Sequence, residues 1–347
     1  MTQESPRVKN VFRSVVRAAI LVLGTSSVLS VHAKQYRPRC VSQPSYTSLK
    51  GRGLYIQGGE HLTDRNTNQT FMIDLTESWD VNNPKYKQLP AGVNTNYVPG
   101  GITSDGELWT VMDDFMTMRY NATSKSWVGL YQLNSPGMTG MTGATDPTTD
   151  MMYIPFGYYN AKGERETFRL NLRTGETTSD RRPYPMMRKY EYEYATTWNP
   201  LRKSVVFVGF DGVFEYTWEK GWKPFISNGL ETVPFKGSCL VSVSGGTKMA
   251  LFGGRTRDEK ATLGDIYVLD LTKKGEESWT KALIDPKQAS EIARHTPACG
   301  STGDQVIISD GNALPDYVEF QCPKQRTLVF NVKTMQWTNR YVAPGKK

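Results

Sequence analysis

Histidine is scarce in this chain, with three in 347 residues, and one of them, His32, sits in an N-terminal leader. Imidazole chemistry further on can draw only on His61 and His295, too few for a histidine-rich metal centre. Cysteine is also rare, with four residues, none in a Cys-x-x-Cys pair or alternating with histidine at zinc spacing. No metal site is therefore expected. No block of Lys and Arg marks a nucleic-acid surface. The formal charge of +8 falls to 38 basic against 33 acidic side chains, a net +5, over the 314 residues after position 33. Beyond the leader no apolar run of about 20 residues occurs, which excludes a polytopic membrane protein and predicts no membrane span in the mature chain. What is present is 38% hydrophobic and 11% aromatic residues, with 31 Gly and 19 Pro. That is enough for a sizeable core with many turns, and it excludes a wholly disordered or collagen-like chain.

The leader reads as an address. Met1 to Arg17 is basic, Ala18 to Val31 carries no charge, and Val31-His32-Ala33 places compact residues at −3 and −1 of a cleavage site after Ala33. A stretch of 14 residues diluted by Gly, Thr and Ser spans about 21 Å, short of a hydrocarbon core of about 30 Å. Residues 1–33 are thus expected to be a signal peptide, and the mature chain to be secreted or held at the cell surface. In such an oxidising compartment an even set of Cys40, Cys239, Cys299 and Cys322 predicts two disulfides. Asn68-Gln-Thr70 and Asn121-Ala-Thr123 are N-glycosylation acceptors.

One unit recurs along the rest of the chain. GLYIQGG (Gly53–Gly59) followed by FMIDLTESW (Phe71–Trp79) parallels MALFGG (Met249–Gly254) followed by YVLDLTKKGEESW (Tyr267–Trp279). Weaker copies of the second half start at Met118, Phe168, Val213 and Leu328. An Asp or Asn stands three residues after the start in five of the six copies: Asp74, Asn121, Asn171, Asp270 and Asn331. Alternating apolar residues mark strands. The Asp or Asn can bond its own backbone and tighten the following turn, and the Trp supplies a large apolar body where units stack. A single small sheet cannot bury both faces, so the copies must pack on one another.

The Gly-Gly, aromatic and Trp pattern resembles the kelch repeat, whose four-stranded sheets form the blades of a β-propeller. The likeness is strongest at Gly58, Gly59, Phe71 and Trp79 and at Gly253, Gly254, Tyr267 and Trp279. Elsewhere Asp113-Asp114, Gly209-Phe210 and Asp310-Gly311 replace the glycine pair, and Thr177 replaces a Trp. The resemblance implies an all-β fold, a single six-bladed propeller over residues 45–347 after a short lead-in at 34–44. It extends to secreted or surface kelch proteins of fungi and to the propeller of galactose oxidases. Within such a ring Cys239 and Cys299 fall on equivalent inner strands of adjacent blades. Cys40 precedes blade 1 and Cys322 lies in the second loop of blade 6, so Cys239–Cys299 and Cys40–Cys322 are the expected pairs.

If strands a to d of each blade alternate in direction, the b–c and d–a loops share one face, where loops on a rigid scaffold can carry function. That face is expected to bear Glu60, His61, Tyr158, Tyr159, Arg255, Asp258, Arg294, His295 and Asp310 as ligand-binding candidates. His61 and His295 could converge across the closure of the ring, and Arg255 could pair with Asp258. Tyr190, Tyr192 and Tyr194 place three phenols on one side of an extended segment, to stack on a ligand or pack into the next blade. Met138, Met141, Met151, Met152, Met186 and Met187 read as core fillers. The expected function is a non-catalytic scaffold for a protein or carbohydrate ligand, without a cofactor. The alternative, a copper-radical carbohydrate oxidase, resembles a site of two His, two Tyr and a free Cys, which four disulfide-bonded cysteines could not supply. Sequencing the N-terminus of the secreted protein should return Lys34; an intact Met1 would overturn the leader reading.

Overall fold

The computed structural model describes residues 36–61, 66–112, 116–132, 142–159, 165–182, 194–209, 212–225, 228–229, 236–256, 258–273, 277–315 and 319–345. The leader, Asp113-Asp114, Phe210, Tyr190, Tyr192, Met138, Met141, Met186 and Met187 lie outside the described residues.

Six four-stranded antiparallel sheets follow one another, each a simple meander in chain order. The first comprises Ser45–Leu49, Gly53–Gln57, Thr70–Asp74 and Tyr86–Gln88, and the second Gly100–Ile102, Leu108–Met112, Met116–Asn121 and Ser126–Gln132. The third holds Ala144–Asp146, Met151–Tyr159, Arg165–Asn171 and Thr177–Asp180, and the fourth Ala195–Asn199, Ser204–Gly209, Gly212–Thr217 and Gly221–Pro224. Cys239–Val243, Lys248–Phe252, Ile266–Asp270 and Trp279–Lys281 make the fifth; Ala298–Thr302, Gln305–Ser309, Thr327–Asn331 and Gln336–Thr338 make the sixth. First strands of consecutive sheets lie side by side, and that of the sixth returns to that of the first. This is a six-bladed β-propeller. The one α-helix among the described residues, Pro286–Ile292, leads from blade 5 to blade 6 and is capped by Asp285, whose side chain accepts from the Lys287 and Gln288 amides.

Alternation along strand b divides its side chains between two neighbours. In blade 5, Met249 and Leu251 pack against Val206 and Val208 of blade 4, while Ala250 and Phe252 pack against Val306 and Ile308 of blade 6. The core is therefore a series of layers between blades, and each strand b is buried on both faces. Met152 fills one such layer, between blades 2 and 3, where its sulfur lies against Gly101. The Asp or Asn closing strand c does what its chemistry suggests. Asp74, Asn121, Asn171, Asp270 and Asn331 each accept the amide two residues on, at 2.8–2.9 Å. The tryptophans bridge units: Trp337 of blade 6 meets Phe252 of blade 5 edge-on at 5.5 Å, and the Trp222 indole donates to Thr167 of blade 3.

Each blade is built from one contiguous stretch, so ring closure falls to other devices. On the b–c face the Cys40–Cys322 disulfide joins the segment before blade 1 to the b–c loop of blade 6, and the Gly311 amide donates to the Val41 carbonyl. On the opposite face Arg340–Tyr341 pairs antiparallel with Trp79–Asp80. The Tyr341 ring stacks on Trp79 at 4.9 Å and its hydroxyl donates to the Leu75 carbonyl. The second disulfide, Cys239–Cys299, joins the inner strands of blades 5 and 6. Tyr341→Ala should cost about 3–5 kcal/mol in urea unfolding, and Tyr341→Phe, which loses the hydroxyl's bonds to Leu75 and Thr302 but keeps the ring, about 1 kcal/mol. Equal losses would mean that the hydroxyl, not the stacked ring, holds the closure.

Candidate functional site

The b–c face is organised by the backbone at the end of strand b. Gly58-Gly59 and Gly253-Gly254 take left-handed φ values, and Asp310-Gly311 takes the same pair, 60° and 97°. A side chain at Gly58 would run into the Thr95 carbonyl, so that slot demands glycine. The second amide of each pair reaches the segment leading into the next blade: Gly59 donates to Thr95, Gly254 to Arg294 and Gly311 to Val41. The motif is a latch between blades, and the residues beside it are drawn inward.

Arg294 is fully buried. Its guanidinium donates to the carbonyls of Ile292, Asp310, Gln325 and Arg326, and burial pushes its pKa down to about 9, partly offset by Asp310. Asp310 is also fully buried and holds Arg326 through Nε and Nη2 at 2.8 and 2.7 Å; Arg326 in turn donates to the carbonyls of Pro38 and Arg39. Arg255 is buried and reaches Glu259 and the Pro315 carbonyl rather than Asp258, whose carboxylate lies 3.8 Å from Lys260. His295 is buried beside Thr296, and burial with nearby Arg255 and Lys236 pushes its imidazole down to about 3. The surface once expected of Arg255, Arg294, His295 and Asp310 is thus internal. The arginines turn inward because backbone carbonyls of the crossing loops need donors, and Asp310 accompanies them as the acceptor that balances Arg326.

Of the remaining candidates, Glu60 accepts from the Asn96 amide, His61 sits against Phe320, and Asp258 is exposed. Tyr158 and Tyr159 lie within strand b of blade 3, paired with Glu166 and Arg165, rather than in the loop beyond it. Tyr194 is buried against Phe207, with its hydroxyl bonded to the Pro155 carbonyl.

The channel between the inner strands offers a different site. A cavity of about 410 Å³ is lined by strand a of all six blades and by their a–b turns, on the face opposite the latches. Its wall is rich in small and hydroxylated residues, and Lys50 is its only charged side chain among the described residues. No carboxylate and no imidazole among the described residues contributes to it. Among the described residues no group of three or more His, Cys, Asp or Glu could hold a metal ion. Tyr46, in the wall, has its hydroxyl 3.7 Å from the sulfur of Cys299, and burial raises its pKa. The inner strands carry no repeat signature, so the sequence does not announce these residues beyond the Trp198-Asn199-Pro200 turn.

Comparison with known proteins adds the fold alone. No family model matches the chain, and no curated protein sequence matches it. Among solved structures it is similar to YjhT, with a TM-score of 0.60 and 12% identity over 87% of this chain and 97% of that one.

The buried histidine sets a pH dependence. Its folded pKa, about 3, lies below the unfolded value of about 6.5. The unfolded chain therefore takes up a proton first, and stability present above pH 6.5 is lost as pH falls from there toward 3. His295→Gln should flatten the decline between pH 6.5 and 5 in denaturant titrations; an unchanged slope would place the sensitivity elsewhere.

Proposed function

We propose that this chain is a secreted, non-catalytic recognition module that takes a small polar ligand, or the tip of a protein or glycan, into the mouth of its central channel. The observation that carries this reading is the lining of the channel cavity. Its volume falls in the range of small-ligand sites. Its hydroxyls and backbone groups suit hydrogen bonding to a polar ligand, while among the described residues it lines up no carboxylate or imidazole of the kind proton transfer ordinarily uses. Secretion is supported by the leader and by two disulfides, which persist in oxidising compartments.

The copper-radical alternative fits the residues poorly. All four cysteines are paired, leaving no thiol to join a tyrosine, and His295 is buried among structural contacts. A second reading keeps the ligand on the b–c face, where Asp258 is exposed and Glu60 and His61 are half-buried.

The two faces can be told apart with residues 34–347 screened against glycan and peptide arrays. Ser104 is exposed at the channel mouth, so Ser104→Trp should abolish binding of a hit, while Asp258→Ala leaves it within about twofold and neither shifts the melting temperature. Loss with Asp258→Ala and retention with Ser104→Trp would move the site to the b–c face.

A further inference from the structure

The channel has two unlike walls. The residue of each inner strand that pairs with the second position of strand b is Ser48, Ile102, Thr145, Trp198, Ser242 and Ser301 in blades 1 to 6. Serines therefore occupy the contiguous arc of blades 5, 6 and 1. In a ring of six, blade 4 faces blade 1, so Trp198 stands across the channel from Ser48. Trp198 is half-buried and fixed by parallel stacking on Tyr153, 5.7 Å between centroids and 6° between planes. Pro200 follows it in the wall, and Pro147 of blade 3 and Ile102 of blade 2 continue the apolar side.

The serine arc turns its hydroxyls into the seams between inner strands, where Ser301 donates to the Ser242 carbonyl. The hydroxyls of Ser48 and Ser242 are buried and have no partner among the described residues. Two residues beyond Ser48, Lys50 carries the one charge in the lining, is exposed, and makes no ion pair among the described residues. Neighbouring cations are engaged: Arg52 bonds the Asp105 carbonyl and Lys248 reaches the Val332 carbonyl. On the arc Asp304 lies outside the lining and accepts from Ser244 at 2.6 Å, and in the adjoining turn of blade 2 Asp105 is held by Arg173.

Resting on the channel reading, we propose that the mouth selects an organic monoanion built on a flat ring. The anionic group meets Lys50 at the mouth, beside the small side chains of the serine arc, and the ring lies against Trp198 and Pro200. A hydrogen-bonded charge on one side and an aromatic face on the other fix both position and orientation.

Charge can be separated from shape with 4-hydroxybenzoate and 4-hydroxybenzamide, titrated into residues 34–347 and read by tryptophan fluorescence and calorimetry. The acid should bind at least tenfold more tightly than the amide, with the advantage shrinking as salt rises. Lys50→Met, at an exposed position, should bring the ratio to about one while amide affinity stays within twofold. Trp198→Leu should weaken both probes by a similar factor. Equal affinity of acid and amide for the unaltered chain, or an acid preference that survives Lys50→Met, overturns the anion assignment and leaves the channel reading standing. If neither probe binds while a neutral array ligand is lost in Ser104→Trp, the monoanion is wrong and the channel right. If no ligand of any kind responds to Ser104→Trp, both fall.

Discussion

Six strands must meet around one axis, and that crowding governs the rest of the molecule. Each inner strand has a partner on one side only, so its other edge faces the channel and its side chains must fit between those of the two adjacent inner strands. A Cβ on Gly300 would come within 2.5 Å of the Ser48 hydroxyl, and one on Gly101 within 2.8 Å of that of Thr145. Several of the side chains present are short and bond across the gap. Ser301 donates to the Ser242 carbonyl at 2.6 Å, the Ser242 amide donates to Thr197, and Thr142 meets Thr196. The packing rule that sets the width of the ring thus also dictates a small, hydroxylated channel wall.

The opposite face obeys a different constraint. Loops that cross from one blade to the next carry carbonyls into places water does not reach, and each needs a donor. Arginine meets the demand well because five N–H groups in a fixed fork can serve several carbonyls at once. Arg294 alone serves four. Asp310 balances Arg326 in the same layer, so the charge is buried as a bonded set rather than singly. Removing either member would leave the other uncompensated, which makes this face a poor place for residues free to follow a ligand.

How much of this could be read from the sequence depended on which strand carried the message. Strands b and c declare themselves, because their layers demand apolar alternation and their turns demand Asp or Asn; the blade count and the placing of Cys239 and Cys299 on neighbouring inner strands followed from them. Asp310-Gly311 looked like a departure from the glycine pair, yet it adopts the same left-handed pair of angles, Asp being tolerant of that region. The polar loop residues misled for a physical reason: Arg255, Arg294 and His295 read as solvent-facing by type, and only tertiary contact with carbonyls shows them buried. Inner strands were nearly silent. Ser, Thr and Gly at Ser48, Thr145, Gly300 and Ser301 satisfy crowding rather than periodicity, so no pattern in one chain announces them.

The seam and the channel share residues, which ties closure to recognition. Blades 6 and 1 are the last and the first, and Ser301 and Ser48 stand on either side of their junction. The Cys40–Cys322 bond holds that junction on the b–c face, and Tyr341 stacked on Trp79 holds it on the other. Between the two clasps, Gly300 and Ser48 are held so close that no methyl group fits between them. A ring that opened here would part the serine arc while leaving Trp198 and its partner Tyr153, three blades away, undisturbed. The apolar wall is therefore secured by the interior of blades 3 and 4, whereas the polar wall depends on closure of the ring. Geometry for hydrogen bonding tolerates far less slack than apolar contact does, so it is fitting that the polar side is the one clasped from both faces.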